Sequence, residues 1–345
     1  MGEIIDVCSG RDYKHLLEGN IPVYGTGGYM LSVNEALSYD KDAIGIGRKG
    51  TIDRPYILEA PFWTVDTLFY AIPKENIELK FLYGIFQKIE WKKQDESTGV
   101  PSLSKNSING IEVTITKHNE QTKIGKIFSD LDNLITLHQR KLEKFKNVKK
   151  SMLEKMFPKN GSNVPEIRFK GFTDAWEQRK AKELCYISTG KSNTQDRVCD
   201  GKYPFYVRSP IIERSNRYLF DEEAVLTVGD GVGTGKVYHY VNGKYDLHQR
   251  VYRMFGFSED ILARYFYYYF SNHFYDRVIA MTAKTSVDSV RYEMISEMEI
   301  YLPNKQEQKL ISIYFEYIDN LITLHQRKLE KLQNIKKACL EKMFV

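Results

Sequence analysis

The chain has 345 residues, enough for two or three domains of ordinary size. It carries 50 Lys and Arg against 45 Asp and Glu, and the resulting formal charge of +5 is too small to indicate an acidic partner by itself. No stretch approaches the roughly 18 uncharged apolar residues that span a bilayer, and the N-terminal residues lack the pattern of a signal peptide. The scattered cysteines (Cys8, Cys185, Cys199 and Cys339) indicate neither a disulfide framework nor a zinc site, which favours a cytoplasmic protein.

Residues 1–122 form the first predicted domain. Short apolar runs between glycines and prolines, such as residues 21–24 and 43–46, predict a β-rich region over residues 1–73. Apolar residues at helical spacing follow between Leu79 and Ile89 and predict a helix.

Residues 123–157 are predicted to form a long first spacer helix. Apolar side chains recur every 3.5 residues from Ile124, which is the spacing of a coiled-coil seam, and Pro158 is expected to end the helix. At 1.5 Å per residue, about 34 residues make a rod of about 50 Å. The alternative is an ordinary amphipathic helix packed on its own domain.

Residues 158–182 are predicted to be a linker and lead-in to the second half. The lead-in, residues 164–179, reads VPEIRFKGFTDAWEQR, and nothing similar precedes the first half of the sequence. Two explanations remain open: either the short start is natural, or a piece has been removed.

Residues 183–309 form the second predicted domain, which again has short apolar runs between turn residues and is expected to be β-rich. Residues 229–235 resemble a dinucleotide-binding loop, but residues 236–241 indicate a strand where that loop requires a helix, so a hairpin or bulge is favoured. The aromatic run of residues 265–270 is expected to pack in a core more than to stack on bases.

Residues 310–345 are predicted to be a second spacer helix, because the chain contains an internal repeat. The thirteen residues DNLITLHQRKLEK occur at 132–144 and again at 319–331, so each position has its counterpart 187 residues later. The duplicated seams are expected to pack against each other or on two copies of the same external protein. His138 and His325 are expected to be interface residues more than metal ligands. The predicted helix-pair interface consists of Leu131, Ile135, His138, Leu142, Phe145, Ile318, Ile322, His325, Leu329 and Leu332.

The sequence contains none of the catalytic motifs that we considered. Two Gly-Lys pairs, at residues 190–191 and 235–236, fail the phosphate-loop pattern, and there is no metalloprotease motif, nucleophile elbow or metal-ligand cluster. The tetrapeptide Asn/Asp-Pro-Pro-aromatic, which is typical of base methyltransferases, is also absent from the sequence. The residues themselves therefore indicate neither a catalytic site nor a metal site.

These features together resemble the specificity (S) subunit of type I restriction–modification systems. The resemblance rests on the duplicated segment LDNLITLHQRKLEKxKNxKKxxLEKMF and on the lead-in at residues 164–179, and it covers essentially the whole chain. It implies an α+β fold: two β-rich target recognition domains separated by an antiparallel pair of long coiled-coil helices, in a pseudo-two-fold tandem repeat.

The resemblance also implies a function. Each target recognition domain would read one half of a bipartite double-stranded DNA sequence, while two methyltransferase (modification) subunits and restriction/translocase subunits assemble around the chain. This chain itself would not be an enzyme and would bind no cofactor, in agreement with the missing motifs. Catalysis would belong to those partners, which would use S-adenosylmethionine, ATP and Mg²⁺. The alternatives are a self-contained nuclease or methyltransferase, and a scaffold or regulatory protein with impaired DNA reading because the first half lacks a lead-in.

Charge does not mark the DNA-reading surface, because residues 123–157 hold nine Lys and Arg against four Asp and Glu and carry the basic excess themselves. Loops with glycines and with donors suited to base edges are the best candidates. The predicted DNA-binding residues of the first domain are Arg11, Lys14, Tyr24, Thr26, Arg48, Lys49, Ser102, Ser104 and Lys105. Those of the second domain are Arg208, Ser209, Asp230, Lys236, Gln249, Arg250, Lys284, Thr285 and Ser286.

Overall fold

The computed structural model describes residues 1–159, 161–231, 233–282 and 289–344. Contacts within the chain define two compact units: the first joins Met1–Lys141 to His325–Val345, and the second is Leu142–Leu324. Each unit has its own sheets and its own apolar core.

The first unit begins with seven strands. Four of them form an antiparallel sheet in the order β1-β7-β4-β5, and the other three form a sheet in the order β3-β2-β6, in which β2 and β6 are parallel. The predicted β-rich region is therefore confirmed. The strands are β1 (Ile5–Ser9), β2 (Glu18–Gly25), β3 (Gly28–Val33), β4 (Ala43–Gly47), β5 (Tyr56–Leu58), β6 (Trp63–Thr64) and β7 (Leu68–Pro73).

Two short helices follow the strands of the first unit: α1 (Leu79–Lys88) and α2 (Lys105–Gly110). The carboxylate of Glu78 caps α1 by accepting from the amide of Phe81 at 2.6 Å. One face of α1 is buried in the core of the unit, to which the long helix α3 (His118–Lys155) contributes Ile124 and Phe128.

The second unit contains a six-stranded sheet in the order β11-β10-β13-β12-β14-β9 and a two-stranded sheet of β15 and β8. Strands β12 and β13 are antiparallel neighbours, so residues 229–231 and 233–235 lie between the two strands of a hairpin, as predicted. The elements are β8 (Glu177–Lys180), α4 (Ala181–Leu184), β9 (Tyr186–Thr189), β10 (Tyr203–Tyr206), β11 (Ile212–Ser215), β12 (Phe220–Val228), β13 (Tyr238–Leu247), β14 (Val251–Phe255), α5 (Ala263–Ala280), α6 (Tyr292–Ser296) and β15 (Glu299–Leu302).

Helix α5 carries the aromatic run that the sequence assigned to a core. Tyr265, Phe266, Tyr268, Tyr269 and Phe270 are all buried there. Their rings pack on one another and on Phe157, which excludes them from stacking on bases. The prediction of a core role is confirmed.

The second long helix, α7 (Lys305–Met343), has 39 residues, against 38 in α3. Both helices begin five residues before the predicted starts at 123 and 310. Within each unit a stretch of α3 packs on an antiparallel stretch of α7. In the first unit Phe128 lies 5.5 Å from Phe344 between ring centroids, and in the second Phe157 stacks on Phe315 at 6.0 Å.

The lead-in is an integral part of the second unit. Its β8 pairs with β15, and Trp176 is 3% exposed in the core. The guanidinium of Arg168 donates to both carboxylate oxygens of Glu307, from Nε at 2.9 Å and from Nη2 at 2.6 Å. Residues 164–180 therefore complete the fold of the second unit by strand pairing, an aromatic anchor and a buried ion pair.

Candidate nucleic-acid interface

Predicted recognition residues of the second unit come together around Asp230, just after β12. One carboxylate oxygen of Asp230 lies 3.3 Å from Nη1 of Arg208, and the other lies 3.7 Å from Nε of Arg250. The side chains of Arg208 and Arg250 remain 47% and 64% exposed. Asp230 thus orients two guanidinium groups that remain accessible to solvent.

A third guanidinium, that of Arg217, lies between β11 and β12 and was not among the predicted residues. Its Nη2 donates to Oδ2 of Asp196 at 2.9 Å and to the hydroxyl of Ser192 at 3.0 Å. Its Nε lies 3.6 Å from Oδ2 of the fully buried Asp246, whose other oxygen accepts from Ser192 at 2.5 Å. Burial of Asp246 makes this guanidinium a necessary counter-charge as well as an exposed donor.

Gln249 connects these groups to the loop after β9. Its side-chain amide donates to Oδ1 of Asn193 at 2.6 Å, and its backbone amide donates to the carbonyl of Ser192 at 2.9 Å. We call Arg208, Arg217, Asp230, Gln249 and Arg250 the second-unit polar cluster.

His248 lies beneath the second-unit polar cluster and is 4% exposed. Its Nδ1 accepts from the amide of Arg250 at 3.0 Å. Burial lowers the pKa of His248, and the positive charge of Arg208 lowers it further. Neutral His248 therefore acts as an acceptor that holds the backbone at Arg250.

The other predicted residues of the second unit are placed apart. The ammonium of Lys236 lies 4.7 Å from the ring centroid of Tyr275, and the hydroxyl of Ser209 accepts from the amide of Ile211 at 3.3 Å. Lys284, Thr285 and Ser286 lie outside the described residues.

In the first unit, the structure brings Arg48, Lys49 and Ser102 together. Lys49 and Ser102 form an isolated antiparallel bridge, and both basic side chains are exposed. The guanidinium of Arg48 lies 5.6 Å from the ring centroid of Phe69 and donates to the carbonyl of Asp66 at 3.3 Å. We call Arg48, Lys49 and Ser102 the first-unit polar cluster.

Arg11 and Tyr24 both lie next to Thr64 of strand β6 in the first unit. The amide of Arg11 donates to the carbonyl of Thr64 at 2.9 Å, and Tyr24 is the strand neighbour of the same residue. Lys14 is exposed in the loop after β1, and Thr26 lies in the turn between β2 and β3. Tyr29, in β3 beside that turn, is 62% exposed and was not among the predicted residues.

Ser104 and Lys105 lie at the start of α2. Ser104 is the N-cap residue, and its hydroxyl accepts from the amide of Ser107 at 3.0 Å. Lys105 is the exposed first residue of this helix. The hydroxyl of Ser104 is therefore occupied in capping, whereas Lys105 is available to a ligand.

The predicted helix-pair residues alternate with exposed ones along α3 and α7. Ile318 and His325 are buried, and the other eight are half-buried: Leu131, Ile135, His138, Leu142, Phe145, Ile322, Leu329 and Leu332. Nδ1 of His138 lies 2.7 Å from Nδ1 of His325, so the two rings share a hydrogen bond, as expected for interface residues.

Across the described ranges, no group of three or more His, Cys, Asp or Glu side chains is placed to hold a metal ion. In that same part of the chain, none of the helices combines the length and the apolar character required to cross a membrane.

Comparison with known proteins defines the class. The family model of the type I restriction modification DNA specificity domain matches residues 1–147 and again residues 173–334. The chain belongs to this family. Membership confirms the predicted resemblance and identifies the chain as a recognition component and not an enzyme.

Two named relatives and one solved structure agree with this assignment. The type I restriction enzyme MjaVIII specificity subunit of Methanocaldococcus jannaschii is 27% identical over 328 residues, covering 85% of this chain and 73% of the relative. The EcoDI specificity subunit of Escherichia coli is 28% identical over 161 residues, 46% of this chain and 34% of the relative. The crystal structure of a type I restriction–modification S subunit from M. genitalium is 13% identical and covers 100% of this chain and 94% of its own, with a TM-score of 0.78. This likeness and the tandem family match confirm the predicted fold class.

Proposed function

We propose that this chain is the DNA-reading S subunit of a type I restriction–modification complex and that it reads a bipartite target. Residues 1–122 and 183–309 would be its two target recognition domains. The observation that carries the proposal is that the specificity domain occurs twice while the candidate surfaces differ. The second-unit polar cluster is a network of three guanidinium groups, whereas the first-unit polar cluster is smaller and lies on different elements.

The chemistry of the two clusters suits base edges. An arginine fork can donate to O6 and N7 of guanine, and a glutamine amide can bind adenine through N6 and N7. Arg250 and Gln249 would supply such groups in the second unit, and Arg48 would do so in the first. Each good contact of this kind is worth about 1–3 kcal/mol of discrimination against the wrong base pair.

The long helices would set the unread gap between the two half-sites. A helix of 38 residues is about 57 Å long, which exceeds one turn of DNA, about 34–36 Å. Two target recognition domains carried by such helices would contact two short half-sites and leave the base pairs between them unread.

Modification and restriction subunits would dock on the same chain, because the relatives are named as subunits of type I restriction enzymes. Exposed apolar residues outside the helix seam would offer them a surface; in the first unit these are Leu134 and Leu137, 43% and 45% exposed. S-adenosylmethionine, ATP and Mg²⁺ would act in those partners. The complex would work in the cytoplasm, where chromosomal DNA is accessible.

The test is to select duplexes from a random-sequence library with the chain in complex with its modification subunits. The proposal predicts that the enriched duplexes share two different short half-sites at a fixed separation. A single continuous recognition sequence, or no enrichment, would contradict it. The double variant Arg208→Ala, Arg250→Ala should lose selectivity for one half-site and keep it for the other.

A further inference from the structure

The turn between β2 and β3 carries two exposed apolar side chains that belong to neither polar cluster. Tyr29 and Met30 follow this turn and are 62% and 48% exposed. Gly28 has a φ of +104°, a conformation that glycine adopts without strain. Apart from its chain neighbours, a Cβ atom built on Gly27 or Gly28 would have no atom of the described chain within 4 Å. The turn therefore presents Tyr29 and Met30 at the surface of the first unit.

Both side chains are supported by residues of the same unit. The ring centroid of Tyr29 lies 6.4 Å from that of Tyr24, which lies 6.0 Å from that of Tyr56. Tyr24 and Tyr56 are half-buried, and the hydroxyl of Tyr56 donates to the carbonyl of Gly25 at 2.6 Å. The Sδ atom of Met30 lies 2.8 Å from where a Cβ atom on Gly25 would be. Such contacts restrict Tyr29 and Met30 before a ligand arrives, which lowers the entropy that binding would cost.

Residues 64–67 connect this turn to the basic side chains of the first unit. The amide of Arg11 donates to the first carbonyl of this segment at 2.9 Å, and the second amide of the segment donates to the carbonyl of Tyr24 at 3.0 Å. The guanidinium of Arg48 donates to the carbonyl of Asp66 at 3.3 Å. The apolar turn and the two arginines therefore lie against the same short stretch of backbone.

Charge favours a nucleic acid as the ligand of this surface. Residues 11–14, 48–49 and 64–67 hold four Lys or Arg against two Asp, and all six of these side chains are exposed. The turn itself, residues 26–30, carries no charge. An apolar tip within a basic surface suits a ligand that offers phosphates on its outside and apolar groups between them.

The major groove of DNA has this arrangement. It admits a two-stranded β-ribbon such as β2 and β3, and the edges of the base pairs in it are polar with one exception, the 5-methyl group of thymine. An aromatic ring and a thioether that enter the groove would bury apolar area against that methyl group. Arg48 and Lys49 would bind the phosphates beside it.

We propose that Tyr29 and Met30 are specificity-determining residues that read the 5-methyl group of thymine in the half-site of the first unit. The inference rests on the proposed function, since it requires that the first unit reads DNA. It adds the kind of contact by which that unit, whose polar cluster is the smaller one, distinguishes an A·T pair from the other base pairs.

The experiment measures competition binding of the chain, in complex with its modification subunits, to the duplex selected from the random library. Deoxyuridine replaces thymine in one half-site at a time, which keeps base pairing and removes the methyl group. In the half-site of the first unit we expect binding to weaken about fourfold for each contacted methyl group, the equivalent of one buried methylene. The double variant Tyr29→Ala, Met30→Ala should bind the thymine and deoxyuridine duplexes equally.

Leu17→Ala is the matched control, because Leu17 is 72% exposed and lies at the other end of the same hairpin, just before β2. This variant should keep the full preference for thymine. The parent complex tests the proposal even without the double variant, since deoxyuridine that weakens binding in neither half-site would overturn it.

Two further results would overturn the proposal. One is an equal effect of deoxyuridine on the parent and on the double variant. The other is a rise in the fluorescence of 2-aminopurine beside the thymine that the double variant abolishes, because it would show that the side chains separate base pairs as a wedge. In each case the complex still selects two half-sites, whereas failure of the proposed function itself would leave no selected duplex.

Discussion

Nζ of Lys149 on α3 lies 2.5 Å from Oδ1 of Asp319 on α7, and Oδ2 of the same carboxylate accepts from the hydroxyl of Tyr268 at 2.9 Å. The counterparts of these residues, 187 positions away, make the same ion pair in the first unit, between Lys336 and Asp132. The duplicated sequence therefore forms one antiparallel contact twice, each time with a lysine from one copy and an aspartate from the other.

Asp319→Asn is expected to destabilise the second unit by about 1 kcal/mol, because the ion pair is only partly buried, with side chains 23% and 34% exposed. Urea unfolding followed by circular dichroism measures the change, with Glu330→Gln, an exposed acid on the same helix, as the control. The swapped pair Lys149→Asp, Asp319→Lys should recover part of the loss. If the swapped double variant is destabilised by as much as the two single variants together, the two charges do not interact.

Arg168→Ala is expected to cost more, about 3–5 kcal/mol, because it leaves the carboxylate of Glu307 buried without its counter-charge. Lys170→Ala, an exposed change in the same lead-in, should be nearly neutral. Trp176 fluorescence reports the unfolding of this region. Equal stability of the two variants would mean that the lead-in is not an integral part of the second unit.

The contact of His138 with His325 predicts that acid weakens the helix pair. Burial lowers the pKa of both rings, and the charges of Lys141 and Lys328 lower both further; His138 also lowers the pKa of His325. The folded state therefore binds protons less readily than the unfolded state, whose histidine pKa is about 6.5. Stability is retained above pH 6.5 or so and lost as pH falls below it toward the lower folded pKa values.

Unfolding midpoints measured between neutral and mildly acid pH test this prediction. The double variant His138→Leu, His325→Leu should have a shallower pH dependence than the parent chain. His15→Gln, an exposed histidine of the first unit, should leave the slope unchanged. Identical slopes for the parent and the double variant would exclude the histidine contact as the source of acid sensitivity.

Arg250→Ala should weaken recognition without weakening the fold. Its side chain is 64% exposed and its ion pair with Asp230 is long, at 3.7 Å, so stability should change by less than about 0.5 kcal/mol. Loss of a base contact should lower affinity for the cognate duplex about 10- to 100-fold. Competition binding with the partner complex measures this, and Lys244→Ala on β13 is the control. An unchanged affinity would remove Arg250 from the recognition surface.

The sequence predicted the long helices because their repeat is nearly identical and their apolar spacing is regular. It placed their starts too late, because the first turns are polar. Gln121 and Gln308 are nevertheless 2% and 1% exposed: each side-chain amide donates to a carbonyl just before its helix, that of Thr116 or Pro303. The matching Glu-Gln pairs in the two copies were the available signal.

The candidate surface of the second unit could be predicted only in part. Arg208, Asp230 and Arg250, which the structure brings together, were predicted because glycines and turn residues mark their loops. Arg217 was not, because its partners Asp196 and Asp246 lie 21 and 29 positions away and come together only through the order of strands in the sheet. The role of the lead-in was likewise hidden, since its strand pairs with residues more than 100 positions distant.

The most direct test of the account exchanges residues 1–110 for the corresponding region of another S subunit and maps methylated adenines in the genome of a host that carries the intact system. The account predicts that one half of the methylated sequence changes, while the other half and the number of unread base pairs stay the same. A change in both halves, or in neither, would contradict it.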